Sequence, residues 1–114
     1  MGVKMDSDMA RDMLRRVDGV LQNVRRKPEM YFSPITPEAV QYWLHGLQVG
    51  LEIAGLSWSY KALEAACARR GITLLATTDL IGALANQSES PTEVAMALVD
   101  VAQEMWRGRL AEIA

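Results

Sequence analysis

Apolar positions recur at helical spacing along most of the chain, and no stretch alternates for long enough to build a sheet. The densest pattern runs from Pro37 to Ala54. Val40, Trp43, Leu44, Leu47, Leu51 and Ala54 share one helical face, and Tyr42, Gly46, Val49, Gly50 and Ile53 form a second face beside it. Only Gln41, His45, Gln48 and Glu52 remain as a polar stripe. A helix apolar around most of its circumference is expected to be buried by neighbours on several sides. Gly46 and Gly50 each cost roughly 1 kcal/mol against alanine in a helix interior. A second helix crossing them at about 8–10 Å would offset that cost. The pattern predicts one all-α domain over residues 1–114, four to five helices packed around a central buried helix at residues 37–54.

The remaining elements follow in order. Ser7 is placed to cap a first helix, with Met9, Met13, Val17, Val20 and Val24 as its seam and Leu14 and Leu21 widening it. Asp12 stands within reach of Arg15 or Arg16. Pro28 ends that helix. Pro28, Pro34 and Pro37 then stiffen a connector in which Met30, Tyr31, Phe32 and Ile35 have something to bury. Thr36 caps the central helix, Pro37 takes its first position and Gly55 ends it. Ser57 or Ser59 starts a third helix that runs to Arg70, with Tyr60, Leu63 and Cys67 facing inward. Ile72 to Ala76 reads as either strand or loop, and Thr78 is placed to cap a short helix over Asp79 to Ala85. Ser90-Pro91-Thr92-Glu93 is a capping box that opens the last helix, whose inner line is Val94, Leu98, Val101 and Met105. Gly108 either ends that helix or weakens it.

Composition adds limits. At 114 residues the chain suits one domain and one core. Seven Met against one Phe imply a core of adaptable side chains. One cysteine makes no internal disulfide, which suits a reducing cytoplasm. Nothing resembles a membrane span, and Met1 to Ala10 lacks the apolar run of a signal peptide. The formal net charge is −2. Its distribution says more, because Gly71 to Trp106 holds no Lys or Arg but carries Asp79, Glu89, Glu93, Asp100 and Glu104.

Catalytic chemistry finds little support. His45 is the only histidine, and Glu52 lies about 10 Å along the helix, too far to orient it. No further ligands stand at metal-binding spacing, so no metal, cofactor or catalytic residue is assigned. Cys67 falls on an apolar face, where an inert thiol is expected. The segment Tyr60–Asn86 imitates a helix-turn-helix. Its second helix carries Asp79 and no basic residue, the wrong sign for the major groove. Glu93, Asp100 and Glu104, at i, i+7 and i+11, are the residues assigned to a partner surface, facing a basic protein.

Val24-Arg25-Arg26-Lys27-Pro28-Glu29-Met30-Tyr31-Phe32 resembles a V-R-x-[RK]-P-x-M-Y stretch found in two bacterial settings. One is the ATPase domain of type II topoisomerase B subunits. The other is a set of small bacterial proteins, some proposed as immunity proteins to toxins. In the latter the motif precedes a helix with an aromatic-rich L-x-G segment, here Trp43-Leu44-His45-Gly46-Leu47. The resemblance covers residues 20–55 and rests on Arg25, Lys27, Pro28, Met30 and Tyr31; Ser33 replaces the usual glycine. Alignment to the ATPase places Gly50 where its general base stands and Ala54 where its Mg-binding Asn stands, so ATP hydrolysis is not expected. Met30, Tyr31 and Phe32 are expected to staple the first helix to the second. The sequence therefore points to a non-enzymatic protein-binding domain, of which an immunity-type binder of a toxin domain is one form. A nucleic-acid-associated or regulatory helical module is the alternative, and a homodimer is compatible with either.

Overall fold

The computed structural model describes residues 5–113, and among them there are five α-helices and no strand. α1 spans Ser7–Arg26, α2 Pro37–Ile53, α3 Tyr60–Ala68, α4 Leu80–Ala85 and α5 Pro91–Ile113. A 3-10 turn at Pro28–Met30 follows α1. The all-α class and the helix count are as the periodicity predicts. Most boundaries follow from side-chain caps. Thr36 Oγ1 accepts from the Ala39 N–H at 3.1 Å, and Ser59 Oγ accepts from the Ala62 N–H at 3.0 Å. Gly55 and Gly71 take φ of 96° and 74°, the left-handed conformation that ends α2 and α3. Two caps differ from expectation. Asp6, not Ser7, caps α1 by accepting from the Met9 N–H at 3.0 Å. Asp79, not Thr78, precedes α4, while Thr78 Oγ1 accepts from the Leu75 N–H at 2.7 Å. Ile72 to Ala76 is irregular chain, anchored by buried Ile72.

The hub of the fold is α5. Each of α1, α2, α3 and α4 packs against it. Its first half carries Val94, Ala95, Leu98, Val99 and Val101 into one buried cluster with Val24, Phe32, Val40, Ala66, Cys67 and Leu84. Its second half carries Met105 and Trp106 into another, with Leu14, Leu21, Leu51, Leu56 and Ala62. Membership in the two clusters gives directions: α1 and α3 run antiparallel to α5, and α2 runs parallel to it.

That arrangement corrects the expectation that residues 37–54 form the central buried helix. Within α2 only Pro37, Val40 and Leu51 are fully buried. α2 packs on α5 along one stripe, and α1, α3 and α4 lie against α5 and leave the other side of α2 uncovered. The close crossing expected at Gly46 and Gly50 is absent, since a Cβ at either position would meet nothing within 4 Å. Close approach occurs instead at Gly108. A Cβ there would stand 2.9 Å from Ala62 Cβ, so this glycine lets α3 lie against α5, and the helix continues past it to Ile113. The seam of α1 is also rotated from the one expected. Ala10, Leu14, Val17, Leu21 and Val24 are buried, whereas Met9 and Val20 face outward. In α3 the inner line is Ala62, Ala66 and Cys67, and Tyr60 is exposed.

Candidate interaction surface

The stripe of α2 opposite α5 is apolar and open to solvent. Tyr42, Gly46, Val49 and Ile53 stand at i, i+4, i+7 and i+11, one line about 16 Å long on a helix. Tyr42 is 77% exposed, Val49 39% and Ile53 80%. Between the bulky ends the backbone is bare, because Gly46 and Gly50 present no side chain. Single exposed apolar residues are ordinary, and a line of them on one helix face is a candidate contact surface. Trp43 borders the line on one side, half-buried, with the rings of Tyr31 and Phe32 edge-on to it at 5.9 and 6.1 Å between centroids. His45 and Glu52 border the other side, and Gln48 Nε2 donates to Glu52 Oε1 at 3.4 Å. The periodicity contains this face, but nothing in the sequence tells how many helices surround α2, and so whether the face is core or surface.

The acidic line on α5 is arranged differently from expectation. Asp100 sits between two arginines, with Arg25 Nε 3.1 Å from Oδ1 and Arg70 Nη2 donating to Oδ2 at 3.4 Å. The Arg25 contact lies outside hydrogen-bond geometry, which leaves Asp100 Oδ1 buried without a hydrogen-bond partner; Arg70 Nε is buried without one as well. Arg69 Nη1 donates to Glu104 Oε2 at 3.1 Å. Glu93 completes the cap: its N–H donates to Ser90 Oγ at 3.2 Å, and its Oε2 accepts from the Glu89 N–H at 3.0 Å. Asp100 and Glu104 are thus bound internally, not presented as a free acidic face. The cations come from α1 and the end of α3, which lie antiparallel beside α5 and supply what residues 71–106 lack. A second ionic group was not visible in the sequence. Asp18 accepts from Arg107 Nε at 2.6 Å and from the buried Gln103 Nε2 at 3.2 Å, and Gln103 also donates to Gln22 Oε1 at 3.0 Å. The Asp18 bond also holds the Arg107 pKa above its ordinary value.

The residues of the motif take separate roles. Arg25 is the ion partner of Asp100, and the Lys27 N–H closes α1 on Asn23 O at 2.9 Å. Pro28 O accepts from Tyr31 and Phe32 N–H at 3.0 and 2.9 Å, which turns the chain toward α2. Phe32 is buried in the cluster that holds Val24 of α1 and Val40 of α2, so it forms the expected staple, whereas Tyr31 sets its ring edge-on to Trp43 and is 41% exposed. Met30 takes no part in the staple, being 73% exposed. Arg26, Lys27, Met30, Tyr31 and Asn23 line a depression of about 220 Å³.

His45 and its neighbours Gln41 and Gln48 rim a cleft of about 210 Å³ where α2 and α3 stand apart above α5. Its walls are chiefly apolar, including Leu44, Leu63, Leu98, Met105 and Trp106. Cys67 is buried. Burial raises its thiol pKa, an effect opposed by Arg70 and reinforced by Glu104, so the thiol is held in its unreactive form. Among the described residues no three His, Cys, Asp or Glu are grouped to hold a metal ion, and no helix is long and apolar enough to cross a membrane. No protein-family model matches this chain, and neither the curated proteins nor the solved structures compared with it gave a match.

Proposed function

We propose that the chain is a non-catalytic protein-binding domain and that the outer face of α2 makes its contact. The observation that carries this is the solvent-facing line of Tyr42, Val49 and Ile53 over the bare backbone of Gly46 and Gly50. Water gains nothing from that arrangement. A tyrosine and an isoleucine that are each more than three-quarters exposed cost no stability when a partner covers them, and their burial drives association. The glycines let the partner's backbone come close. Binding to nucleic acid draws less support, since Arg25, Arg69 and Arg70 are engaged by Asp100 and Glu104.

An immunity-type role is the finer form of this proposal, and it rests on the resemblance at Val24–Phe32. In that form the contact with a toxin domain is apolar and centred on α2, because the carboxylates of Asp100 and Glu104 already neutralise arginines of the same chain. A photo-crosslinking residue at Tyr42, compared with one at exposed Gln87, tests the surface. Capture of a discrete protein, whether another chain or a second copy, from position 42 and not from position 87 is the expected result. Equal capture at both, or capture at neither, overturns the proposal.

A further inference from the structure

The outer face of α2 is self-complementary when the helix is turned end for end. Its positions Tyr42, Gly46, Val49 and Ile53 are separated by steps of 4, 3 and 4 residues, which read the same in both directions. Reversal about the midpoint between Leu47 and Gln48 brings Tyr42 opposite Ile53 and Gly46 opposite Val49. Each bare glycine then receives a branched side chain, and each tyrosine ring covers an aliphatic one. This is the knob-into-hole relation of an antiparallel helix pair with two-fold symmetry. A parallel pair loses it, setting glycine on glycine and tyrosine on tyrosine.

The polar border fits the same register. His45 and Glu52 each precede a facing position by one residue, on the same side of the line. In an antiparallel pair that side meets its own copy, and side chains lean toward their helix N-termini. His45 of one copy therefore reaches Glu52 of the other, once on each side of the axis. Area is consistent with a modest dimer. The three large side chains, the two glycines and the partly exposed Trp43 at the border offer on the order of 500 Å² per copy, about 1,000 Å² in total, the lower bound of specific interfaces.

We infer that this face is covered by a second copy of the chain, α2 packed antiparallel on α2 across a two-fold axis between Leu47 and Gln48. The inference rests on the reading of this face as a protein contact. An interface at this lower bound belongs with the weak, reversible contacts, so the chain is followed from roughly 5 to 500 µM.

Sedimentation velocity of the purified chain across that range tests it. The expected result is a concentration-dependent monomer–dimer equilibrium that Gly46→Leu abolishes. Nothing in the monomer obstructs a side chain at that position, so the variant folds with an unchanged or raised Tm. Register is tested by mixing Tyr42→Cys chains with Ile53→Cys chains under mild oxidation. Mixed pairs should crosslink efficiently. Chains of either type alone should not, since equivalent positions in the two copies lie about 16 Å apart along the axis. A wild-type chain that stays monomeric throughout, a Gly46→Leu chain that still dimerises, or equal crosslinking of each chain alone overturns the inference. If the chain is monomeric while a crosslinker at Tyr42 captures a different protein in cells, self-pairing fails and the protein-binding reading stands. A monomeric chain with no capture removes both.

Discussion

Gly108→Ala separates packing from helix propensity at the one place where two helices touch through a glycine. The added Cβ would lie 2.9 Å from Ala62 Cβ and 3.6 Å from Ala62 Cα. Carbon atoms in contact sit at about 3.5–4.0 Å, so the new methyl overlaps its neighbour by roughly half an ångström or more. Ala62 is buried and has no rotamer to change, so α3 must back away from α5. Overpacking of this kind costs about 1–3 kcal/mol. Alanine's better helix propensity offsets about 1 kcal/mol, leaving a net loss of about 0–2 kcal/mol. Gly19→Ala, on the exposed side of α1 with nothing within 4 Å of its Cβ, gains the propensity without the clash. The two variants should therefore differ by about 1–3 kcal/mol, or roughly 4–12 °C in Tm at about 4 °C per kcal/mol for a domain of this size. Thermal and urea unfolding followed by circular dichroism read both. Adding Ala62→Gly to Gly108→Ala should recover part of the loss beyond additivity. If Gly108→Ala raises Tm as much as Gly19→Ala does, α3 and α5 are not in close contact and the described packing is wrong.

Three further outcomes follow from the same geometry. Asp100→Ala strands Arg25 and Arg70 together and should lower stability by about 1–2 kcal/mol in urea unfolding, more than an isolated exposed pair is worth; no change would show the two ion pairs contribute nothing. Phe32→Ala empties the space between the connector and Trp43 and should cost about 3–5 kcal/mol, with a shift in tryptophan emission; a loss under 1 kcal/mol would show that Phe32 does not staple the connector. Cys67 has a folded pKa raised above its ordinary value of 9.0, so the stability tied to its neutral thiol is complete below that value and is lost as pH rises through the raised one. Unfolding free energy should fall above about pH 9 in the native chain and more gently in Cys67→Ala, and iodoacetamide should label the folded protein slowly; rapid labelling at neutral pH would contradict its burial.

Local signals carried far in this chain, and global ones did not. Thr36, Pro37, Gly55, Ser59, Gly71 and the Ser90–Glu93 box mark helix ends through bonds that span three or four residues, so they can be read from neighbouring letters. Which helix is central depends on how many others lie against it, and no local pattern holds that information. α2 is the more apolar helix, yet α5 is the longer and lies against the other four. The two glycine assignments were reversed for the same reason. Gly46 and Gly50 share an apolar face that no helix covers, while Gly108, which the sequence offers as an end or a weak point of the helix, sits at a crossing. The acidic line finds counter-charges inside the chain that no local pattern reveals, because Arg25, Arg69 and Arg70 are distant in sequence and adjacent only once α1 and α3 fold back along α5.

The central claim is that the outer line of α2 pairs with the same line of a second copy. Amide chemical shifts followed by two-dimensional NMR, as the chain is concentrated from about 5 to 500 µM, test it residue by residue for a weak, reversible contact. The account predicts concentration-dependent shifts centred on Tyr42, Gly46, Val49, Gly50 and Ile53, fading across Trp43 and Glu52, with α4 and the buried positions of α5 unmoved. Shifts centred on the cleft at Leu63 and Trp106, on the depression at Lys27 and Met30, or nowhere, would contradict it.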